Sequence, residues 1–381
     1  HRVNGDVYMM ARIMDKAVAA DSTEIAVAFA PSHEEADKLA AGMAASKDMA
    51  AALDTIDQQQ KSIGWMQDPA LLQSFGDEVR NMVRNTAKGS TFTHSIAALH
   101  GKEAFLEQVR KQEELLAETF GVKPVSFCNT EVIYSDEIGE WLGDAGYRVI
   151  LTEGARHILG WKSPCYLYCN PYQTDVRLLL RSYRLCDDIT LRFNDHSWDQ
   201  YPLTAEKYIH FLEANAKGAE APFINLFWDY ETIGEHYTED TGIFEFFKSL
   251  IAQISANENF SFITPQDVLD MNLNPATMHS PWPISCSGEE KDTHEWIGNE
   301  LQQEAFNQLF KLEELYNKSS NPEAKLSWLR LQGADHFNFM SSKWFGHRFV
   351  KRNFEVYASP YQAFINYMNV LNDVKIQLEE K

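Results

Sequence analysis

The sequence predicts an α/β protein that is built on a parallel sheet, either open or closed into a barrel. Between residues 102 and 264, short apolar runs alternate with segments of helical periodicity, which is typical of parallel strands joined by helices. Two of the apolar runs lead directly into acidic residues. Beyond Pro281 and Pro283 the periodic segments are all helical. We therefore predict a β/α barrel over residues 1–280 and a helical domain packed on it over residues 281–381.

The first part of the pattern is a strand, a helix and a strand within about 30 residues, the length of a βαβ unit. The predicted elements are a helix over 102–120, a strand over 125–128, a helix that opens after Ser135 and a strand over 149–152. Gly121 supplies the stop for the first helix. Ser135 is a hydroxyl cap, and Asp136 and Glu137 follow it in the first turn, where acids face the positive end of the helix dipole.

The alternation continues to residue 264 and then gives way to helices. The predicted elements are a helix over 204–216, a strand over 223–227, a helix over 242–255, a strand over 260–264, and helices over 292–317, 322–332 and 360–381. Near the amino terminus, the pattern predicts helices over 6–20 and 69–86 and a strand over 25–30. The run from Phe223 to Phe227 is almost wholly apolar, which is typical of a strand that is buried on both faces.

Composition and charge exclude several classes of partner. The chain has 381 residues, of which 44% are hydrophobic and 23% are charged, as in globular proteins. A net charge of −21 argues against nucleic acid and anionic membrane surfaces as partners. Five sparse cysteines do not suggest a disulfide framework, and no apolar run reaches the length of about 18 residues that a membrane span needs. With no signal peptide visible, we predict a cytoplasmic protein; the sequence does not indicate its oligomeric state.

Two acidic elements follow two of the predicted strands. Asp229, Glu231, Glu235 and His236 lie within one span of eight residues that begins two positions after Phe227, and Glu131 comes shortly after the strand that ends at Cys128. Clustered acids repel one another and are costly to desolvate, so a chain keeps them at a strand end mainly where chemistry uses them. In a barrel, the carboxyl ends of the strands meet at one rim, where active sites lie. Glu131 and Asp229 are therefore predicted to converge on one cleft.

Two carboxyl groups that face a cleft are what cleavage of a glycosidic bond requires. One is ionised and attacks or stabilises an oxocarbenium-like centre, and the other holds a proton near neutral pH. A separation of about 5–5.5 Å gives retention of the anomeric configuration, and about 6.5–9.5 Å gives inversion. Aromatic side chains, which offer flat apolar faces to sugar rings, are plentiful nearby in the sequence: Trp161, Trp198, Tyr201, Trp228, Tyr230 and Trp344.

Three long stretches resemble signature regions of the α-amylase-like glycoside hydrolases of family 57. They are Phe127–Tyr134, Phe227–His236 and Leu331–Met340, and shorter similar stretches are Glu153–Trp161, Tyr183–Ile189 and Tyr361–Leu371. The resemblance extends from about residue 90 to the carboxyl terminus. It implies an incomplete, seven-stranded TIM-like (β/α)7 barrel followed by a helical domain, and retaining chemistry on α-1,4-glucans or maltooligosaccharides with no metal or other cofactor.

The resemblance also implies roles for individual residues. Glu131 matches the family's nucleophile and Asp229 its general acid/base. Asp335 and His336 match a sugar-contacting pair, and His94 matches a histidine of a further signature region. We expect Trp161, Trp228 and Tyr230 to contact sugar as well. The chain departs from the family in two places, because Ser90 stands where an acid is usual and the His-Gln-Pro of the first region is absent.

Three other readings stay open at the level of sequence. A 4-α-glucanotransferase would use the same two carboxyl groups and pass the glycosyl group to a sugar instead of to water. A degenerate glucan-binding protein would fit Ser90 and the missing first region. A metal-dependent polysaccharide deacetylase would need clustered His and Asp ligands. The sequence has no His-x-x-x-His or His-Glu-x-x-His motif, which argues against this last reading.

Overall fold

A computed structural model of the protein describes residues 88–216, 223–271, 273–343 and 357–380. The predicted elements over 6–20, 25–30 and 69–86 lie outside these ranges. The chain divides into two compact units. The larger unit contains Lys88–Ala117, Lys123–Trp228 and Ser249–Lys381, and the described part of the smaller unit contains Glu118–Val122 and Asp229–Lys248.

The larger unit is built on a mixed sheet of five strands. They are β1 (Ser126–Cys128), β2 (Val149–Glu153), β3 (Tyr168–Cys169), β4 (Arg177–Arg181) and β5 (Ala276–Thr277), in the spatial order β1-β2-β4-β3-β5. As predicted, β1 is parallel to β2, and β2 is also parallel to β4. β3 is antiparallel to β4, because the connection between them is too short to carry a crossover. The sheet is therefore mixed where the sequence predicted a parallel one.

Helices pack around the sheet and make up most of the carboxyl-terminal region. They are α1 (Lys102–Phe120), α2 (Asp136–Asp144), α3 (Arg156–Leu159), α4 (Tyr183–Thr190), α5 (Ala205–Ala216), α6 (Ile243–Ala256), α7 (Pro265–Asp270), α8 (His294–Ile297), α9 (Glu300–Phe310), α10 (Glu313–Lys318), α11 (Pro322–Arg330), α12 (Ala334–Asn338) and α13 (Pro360–Glu379). The predicted bounds of α1 are confirmed, and so is the cap of α2, because the Ser135 side chain accepts a hydrogen bond from the Ile138 N–H at 3.3 Å.

Two predicted strands are wrong. The run from Phe223 to Phe227 makes a single parallel bridge, between Asn225 and Arg181, and the carbonyl of Phe227 accepts a hydrogen bond from the Arg181 guanidinium instead of from a neighbouring strand. The run from Phe260 to Thr264 forms no strand, because Thr264 is the cap of α7 and makes a capping box with Asp267. Local cap chemistry thus overrides an apolar pattern.

The long helix predicted over 292–317 is broken into three shorter ones, α8, α9 and α10. Asn299 is the cause of the first break, because it caps α9 in a capping box with Gln302. The Gln302 side chain is fully buried and donates hydrogen bonds to the carbonyls of Glu295 and Phe337. The break therefore lets α8, α9 and α12 share one buried polar anchor.

One hydrophobic core joins the sheet to the carboxyl-terminal helices. Phe105 of α1 and Phe127 of β1 belong to the same buried cluster as Leu309 of α9, Trp328 of α11 and Leu371 of α13. Residues on both sides of position 280 thus contribute to one core. The domain boundary near residue 280 stays a prediction. No helix in the described part of the chain is both long and apolar enough to cross a membrane.

Candidate active site

Glu131 lies in a tight turn directly after the carboxyl end of β1. The buried side chain of Asn129 shapes this turn, since it accepts a hydrogen bond from the Thr130 N–H and donates one to the Ile133 carbonyl, both at 2.9 Å. Glu131 has φ = 53° and Val132 has φ = 57°. The left-handed region is strained for side chains with a Cβ, most of all for a β-branched one. Such strain costs about 1–3 kcal/mol per residue and is concentrated at functional sites.

The carboxylate of Glu131 contacts His94. The distance between His94 Nε2 and Glu131 Oε1 is 3.0 Å, and the two side chains are only 20% and 24% exposed. A second pair of side chains holds the same two loops together, because the hydroxyls of Thr91 and Thr130 lie 2.6 Å apart. The structure thus brings two of the predicted site residues, 37 positions apart in sequence, into direct contact.

The loop that carries His94 is also tied to the start of α12, where Asp335 and His336 lie. The carbonyl of His94 accepts a hydrogen bond from the Ala334 N–H at 2.9 Å, and the Ile96 N–H donates to the Gln332 carbonyl at 3.0 Å. Burial lowers the pKa of His336. Four predicted site residues, His94, Glu131, Asp335 and His336, therefore belong to one contiguous region of the larger unit.

A buried amide pair fixes this arrangement, and the sequence reading missed it. Gln332 is fully buried, and its side-chain carbonyl accepts hydrogen bonds from Gln108 Nε2 at 2.8 Å and Ser95 Oγ at 3.0 Å. Gln108, in α1, also accepts from the Thr93 N–H at 3.1 Å. The only signal in sequence was that Gln332 lies inside a stretch that resembles the family; Gln108 interrupts an amphipathic helix with no local cue.

The segment 280–286 runs alongside the turn of Glu131. Tyr134 and Ile284 form an antiparallel bridge, and the Cys286 N–H donates to the Glu131 carbonyl at 3.1 Å. The thiol of Cys286 lies 3.9 Å from Glu131 Oε2, within hydrogen-bond range for sulfur. Cys286 therefore contacts both the backbone and the carboxylate of Glu131, from a position 155 residues away.

A buried ionic cluster lies at the carboxyl ends of β2 and β4. Glu153 is fully buried, and its Oε2 lies 3.1 Å from Arg181 Nη1 and 3.8 Å from Lys291 Nζ. Arg181 Nη2 contacts Asp187 Oδ1 at 3.0 Å. Burial raises the pKa of Glu153, while Arg181 and Lys291 oppose that rise. Glu153 and Asp187 lie in stretches that resemble the family, whereas nothing in the sequence singled out Lys291.

Asp229 and Tyr230 belong to the smaller unit, where they open a compact turn. Asp229 is exposed, and its carbonyl accepts a hydrogen bond from the Thr232 N–H at 3.1 Å. The turn is closed by His236, whose N–H donates to the Glu231 carbonyl at 2.7 Å, and by Gly234, whose φ of 103° suits glycine. The acidic cluster that the sequence predicted is thus held by backbone hydrogen bonds of its own turn.

The predicted aromatic contacts have different surroundings. Trp161 is 91% exposed, and Trp228 is half-buried. Trp198 packs against Phe211, and Tyr201 stacks on His196, so these two serve local packing. Trp344 lies outside the described residues, and Ser90, the position of the missing family acid, is buried. In the described ranges, no group of three or more His, Cys, Asp or Glu side chains is arranged to hold a metal ion.

Comparison with known proteins gives matches at the level of sequence and of fold. Residues 75–284 match the model of glycosyl hydrolase family 57. A curated protein of Methanocaldococcus jannaschii, named "Putative alpha-amylase", is 35% identical over 325 residues, which cover 80% of this chain and 68% of that protein.

Two solved structures share the fold. A GH57 branching enzyme from Thermococcus kodakaraensis, solved in complex with glucose, has a TM-score of 0.60 at 14% identity, with 96% of this chain and 75% of that chain covered. An alpha-amylase from Thermotoga maritima has a TM-score of 0.53 at 13% identity, with 97% and 82% covered. The family model covers more than half of the chain, and the curated relative is well above 30% identity. The chain therefore belongs to glycosyl hydrolase family 57, a family of glycoside hydrolases.

Proposed function

We propose that the protein is a retaining hydrolase of α-1,4-glucans, of the α-amylase type, with Glu131 as nucleophile and Asp229 as general acid/base. Family membership supports a glycoside hydrolase, and the name of the curated relative supports an α-glucan as the substrate. A neutral glucan also suits a chain of net charge −21, because no like-charge repulsion opposes its approach.

The surroundings of Glu131 carry the proposal. Its carboxylate follows a buried parallel strand, is partly exposed, and is held from one side by His94 at 3.0 Å. The backbone at Glu131 and Val132 is left-handed, and such strained conformations are concentrated at functional sites. A carboxylate held in this way can attack an anomeric carbon with little loss of orientation entropy.

The proposed reaction has two steps. In the first, Glu131 attacks the anomeric carbon while Asp229 donates a proton to the departing glycosidic oxygen, which leaves a covalent glycosyl-enzyme. In the second, Asp229 takes a proton from water, and the resulting attack on the anomeric carbon releases Glu131. Because two inversions restore the starting configuration, the first product is the α-anomer.

We further propose that the two acids face one cleft at the rim of an incomplete TIM-like (β/α)7 barrel, with residues 281–381 as a helical domain on it. The adjacent parallel strands β1, β2 and β4 and the likeness to enzymes of this family support that architecture. Asp335 and His336 are proposed to bind sugar, because they follow the Ala334 N–H that holds the His94 loop. Trp161, Trp228 and Tyr230 are proposed to supply further sugar contacts.

The experiment that tests the proposal measures turnover of maltooligosaccharides by Glu131→Gln and Asp229→Asn. We expect Glu131→Gln to lose at least about 10⁴-fold in kcat, as loss of a nucleophile does elsewhere. Asp229→Asn should lose about 10²–10⁴-fold and be partly spared on substrates whose leaving group needs little protonation. Glu137→Gln, an exposed acid at the start of α2, is the matched control and should keep the normal rate.

Product analysis separates hydrolysis from transfer. Early products that are only shorter than the substrate support the hydrolase. Early oligomers that are longer than the substrate would instead identify a 4-α-glucanotransferase that uses the same two acids. Binding of maltooligosaccharides by the unaltered protein with no turnover would contradict both activities and identify a degenerate member of the family.

A further inference from the structure

Lys291 is a charged residue in a place where charge is costly. It is 6% exposed and has φ = 54°, so both its side chain and its backbone are in unfavourable states. A buried ammonium persists only where other groups replace the water that it loses. The proposed function does not use Lys291, and its partners show what holds it in place.

Three groups surround the ammonium of Lys291. It donates a hydrogen bond to the Cys286 carbonyl at 3.0 Å, and it lies 3.8 Å from Glu153 Oε2. It also lies 5.1 Å from the centroid of the Tyr183 ring, a distance at which the ring face attracts a cation. The Lys291 ammonium therefore links the backbone of Cys286 to Glu153, which lies at the end of β2.

The segment between Cys286 and Lys291 is closed on itself. The Ser285 N–H donates to the Lys291 carbonyl at 3.1 Å, and the Ser285 hydroxyl accepts from the Ser287 N–H at 3.1 Å. The Ser285 hydroxyl also donates to the Asp292 carbonyl. We call residues 285–292, which these contacts close, the 285–292 loop. Because hydrogen bonds join the ends of this loop, we expect a change in the position of Lys291 to change the position of Cys286 as well.

Cys286 is the point where this loop meets Glu131. Its N–H donates to the Glu131 carbonyl at 3.1 Å, and its thiol lies 3.9 Å from Glu131 Oε2. His94 occupies the other carboxylate oxygen, Oε1. The carboxylate is thus held between two contacts, one of which depends on the 285–292 loop and, through it, on Lys291.

We propose that Lys291 is a positioning residue for the nucleophile. Its ammonium joins Glu153 to the Cys286 carbonyl, so that the 285–292 loop holds Glu131 in its left-handed turn with the carboxylate aimed at the substrate. The inference rests on the proposed role of Glu131. It adds that the rate of glycosyl transfer to Glu131 depends on a buried cation that does not touch the substrate.

The first test compares Lys291→Met with Lys343→Met, using α-maltosyl fluoride and fluoride release. Lys343 is a lysine that pairs with Glu290 of the same loop at 2.9 Å, so it is the matched control. We expect Lys291→Met to lower kcat by ~10- to 100-fold with little change in KM, since small misplacement of a reacting group has an effect of that size. Lys343→Met should stay near the normal kcat.

The second test asks whether Lys291 acts through Glu131. In Glu131→Gly, added azide can attack the anomeric carbon of α-maltosyl fluoride; a carbon–nitrogen bond forms, the carbon–fluorine bond breaks and fluoride leaves, to give the β-maltosyl azide. An external nucleophile does not need the 285–292 loop. We therefore expect the azide-rescued rate to be the same in Glu131→Gly and in Glu131→Gly with Lys291→Met.

The outcomes are distinguishable. If Lys291→Met lowers the azide-rescued rate as much as it lowers the rate with Glu131 present, Lys291 supports the fold in general and the inference is wrong. If Glu131→Gly keeps normal activity without azide, the proposed nucleophile is wrong and the inference falls with it. Thermal unfolding shows whether Lys291→Met is folded; if it is not, Lys291→Gln, which keeps a hydrogen-bond donor, is used for both comparisons.

Discussion

Glu131 is held by side chains from distant parts of the sequence. The local motif predicted its position after β1, and the resemblance to the family predicted that His94 belongs to the same site. In the structure, His94 Nε2 lies 3.0 Å from Glu131 Oε1. Cys286 and Lys291 could not be predicted, because their contacts with the Glu131 turn and with Glu153 span more than 100 positions. A one-dimensional pattern carries no signal for pairs of this kind.

We predict that His94→Asn lowers kcat/KM by about 10- to 100-fold, because a hydrogen bond to a charged group contributes about 1.5–3 kcal/mol. Asparagine is suited to this position, since it tolerates the left-handed backbone that His94 adopts at φ = 53° but is too short to keep the contact with Glu131. His210→Asn, on the exposed face of α5, is the control. Steady-state kinetics with equal values for His94→Asn and the unaltered enzyme would show that the contact has no catalytic role.

At the scale of the element, periodicity and cap residues predicted some helices and strands correctly. They failed where side chains from elsewhere in the chain form hydrogen bonds with the segment. The capped helices α1 and α2 and the strands β1 and β2 lie where periodicity and cap residues placed them. The segment predicted as a strand from Phe223 forms only one bridge, because the Phe227 carbonyl accepts its hydrogen bond from the Arg181 side chain. β3, β4 and α4 were missed, since short segments among polar residues have no clear period.

Gly139 of α2 shows how packing decides against helix propensity. A Cβ at this position would lie 2.3 Å from Asn170 Nδ2 and 2.8 Å from the Tyr134 hydroxyl. Asn170 is fully buried and donates hydrogen bonds to the Tyr134 hydroxyl and the Asp136 carbonyl, so it has little room to move. Replacing glycine by alanine inside a helix gains about 1 kcal/mol, whereas overpacking a buried site costs about 1–3 kcal/mol.

The Cβ contacts of 2.3–2.9 Å at Gly139 place the overpacking cost in the upper part of its range, at about 2–3 kcal/mol. Because the propensity gain offsets about 1 kcal/mol of this cost, we predict that Gly139→Ala lowers the free energy of unfolding by about 1–2 kcal/mol. The measurement is urea denaturation followed by circular dichroism. A Gly139→Ala variant as stable as the unaltered protein would contradict the prediction and show that the Asn170 side chain moves aside at little cost in free energy.

At the scale of the whole molecule, the sheet and the carboxyl-terminal helices share one core, and the start of α12 is hydrogen-bonded to the loop of His94. The sequence predicted the change of character near residue 280. It did not predict that the 285–292 loop is hydrogen-bonded to the turn of Glu131, or that Gln332 is hydrogen-bonded to the loop of His94. These hydrogen bonds join residues that are distant in sequence, so neither composition nor periodicity predicts them. The buried charges and polar groups at this junction make stability sensitive to pH.

His336 gives a testable pH dependence. Burial lowers its pKa below the ordinary value near 6.5, so between these two values the unfolded chain binds a proton that the folded chain does not. Stability then rises with pH in that window, and His336 destabilises the fold as the pH falls below about 6.5. We predict that His336→Gln flattens the fall in the free energy of unfolding below that pH, measured by urea denaturation at several pH values. An unchanged slope would contradict the prediction.

The most direct measurement for the central claim is to trap the glycosyl-enzyme. In an α-maltosyl fluoride that carries a second fluorine on the sugar ring, the electron-withdrawing ring fluorine slows both formation and hydrolysis of the intermediate. Because the good leaving group at the anomeric carbon speeds formation only, the intermediate should accumulate and inactivate the protein with one sugar per chain. Mass spectrometry of the digested protein should then find the sugar on Glu131, and Glu131→Gln should not be labelled. Label on any other residue, or turnover with no covalent species and an inverted product, would contradict the account.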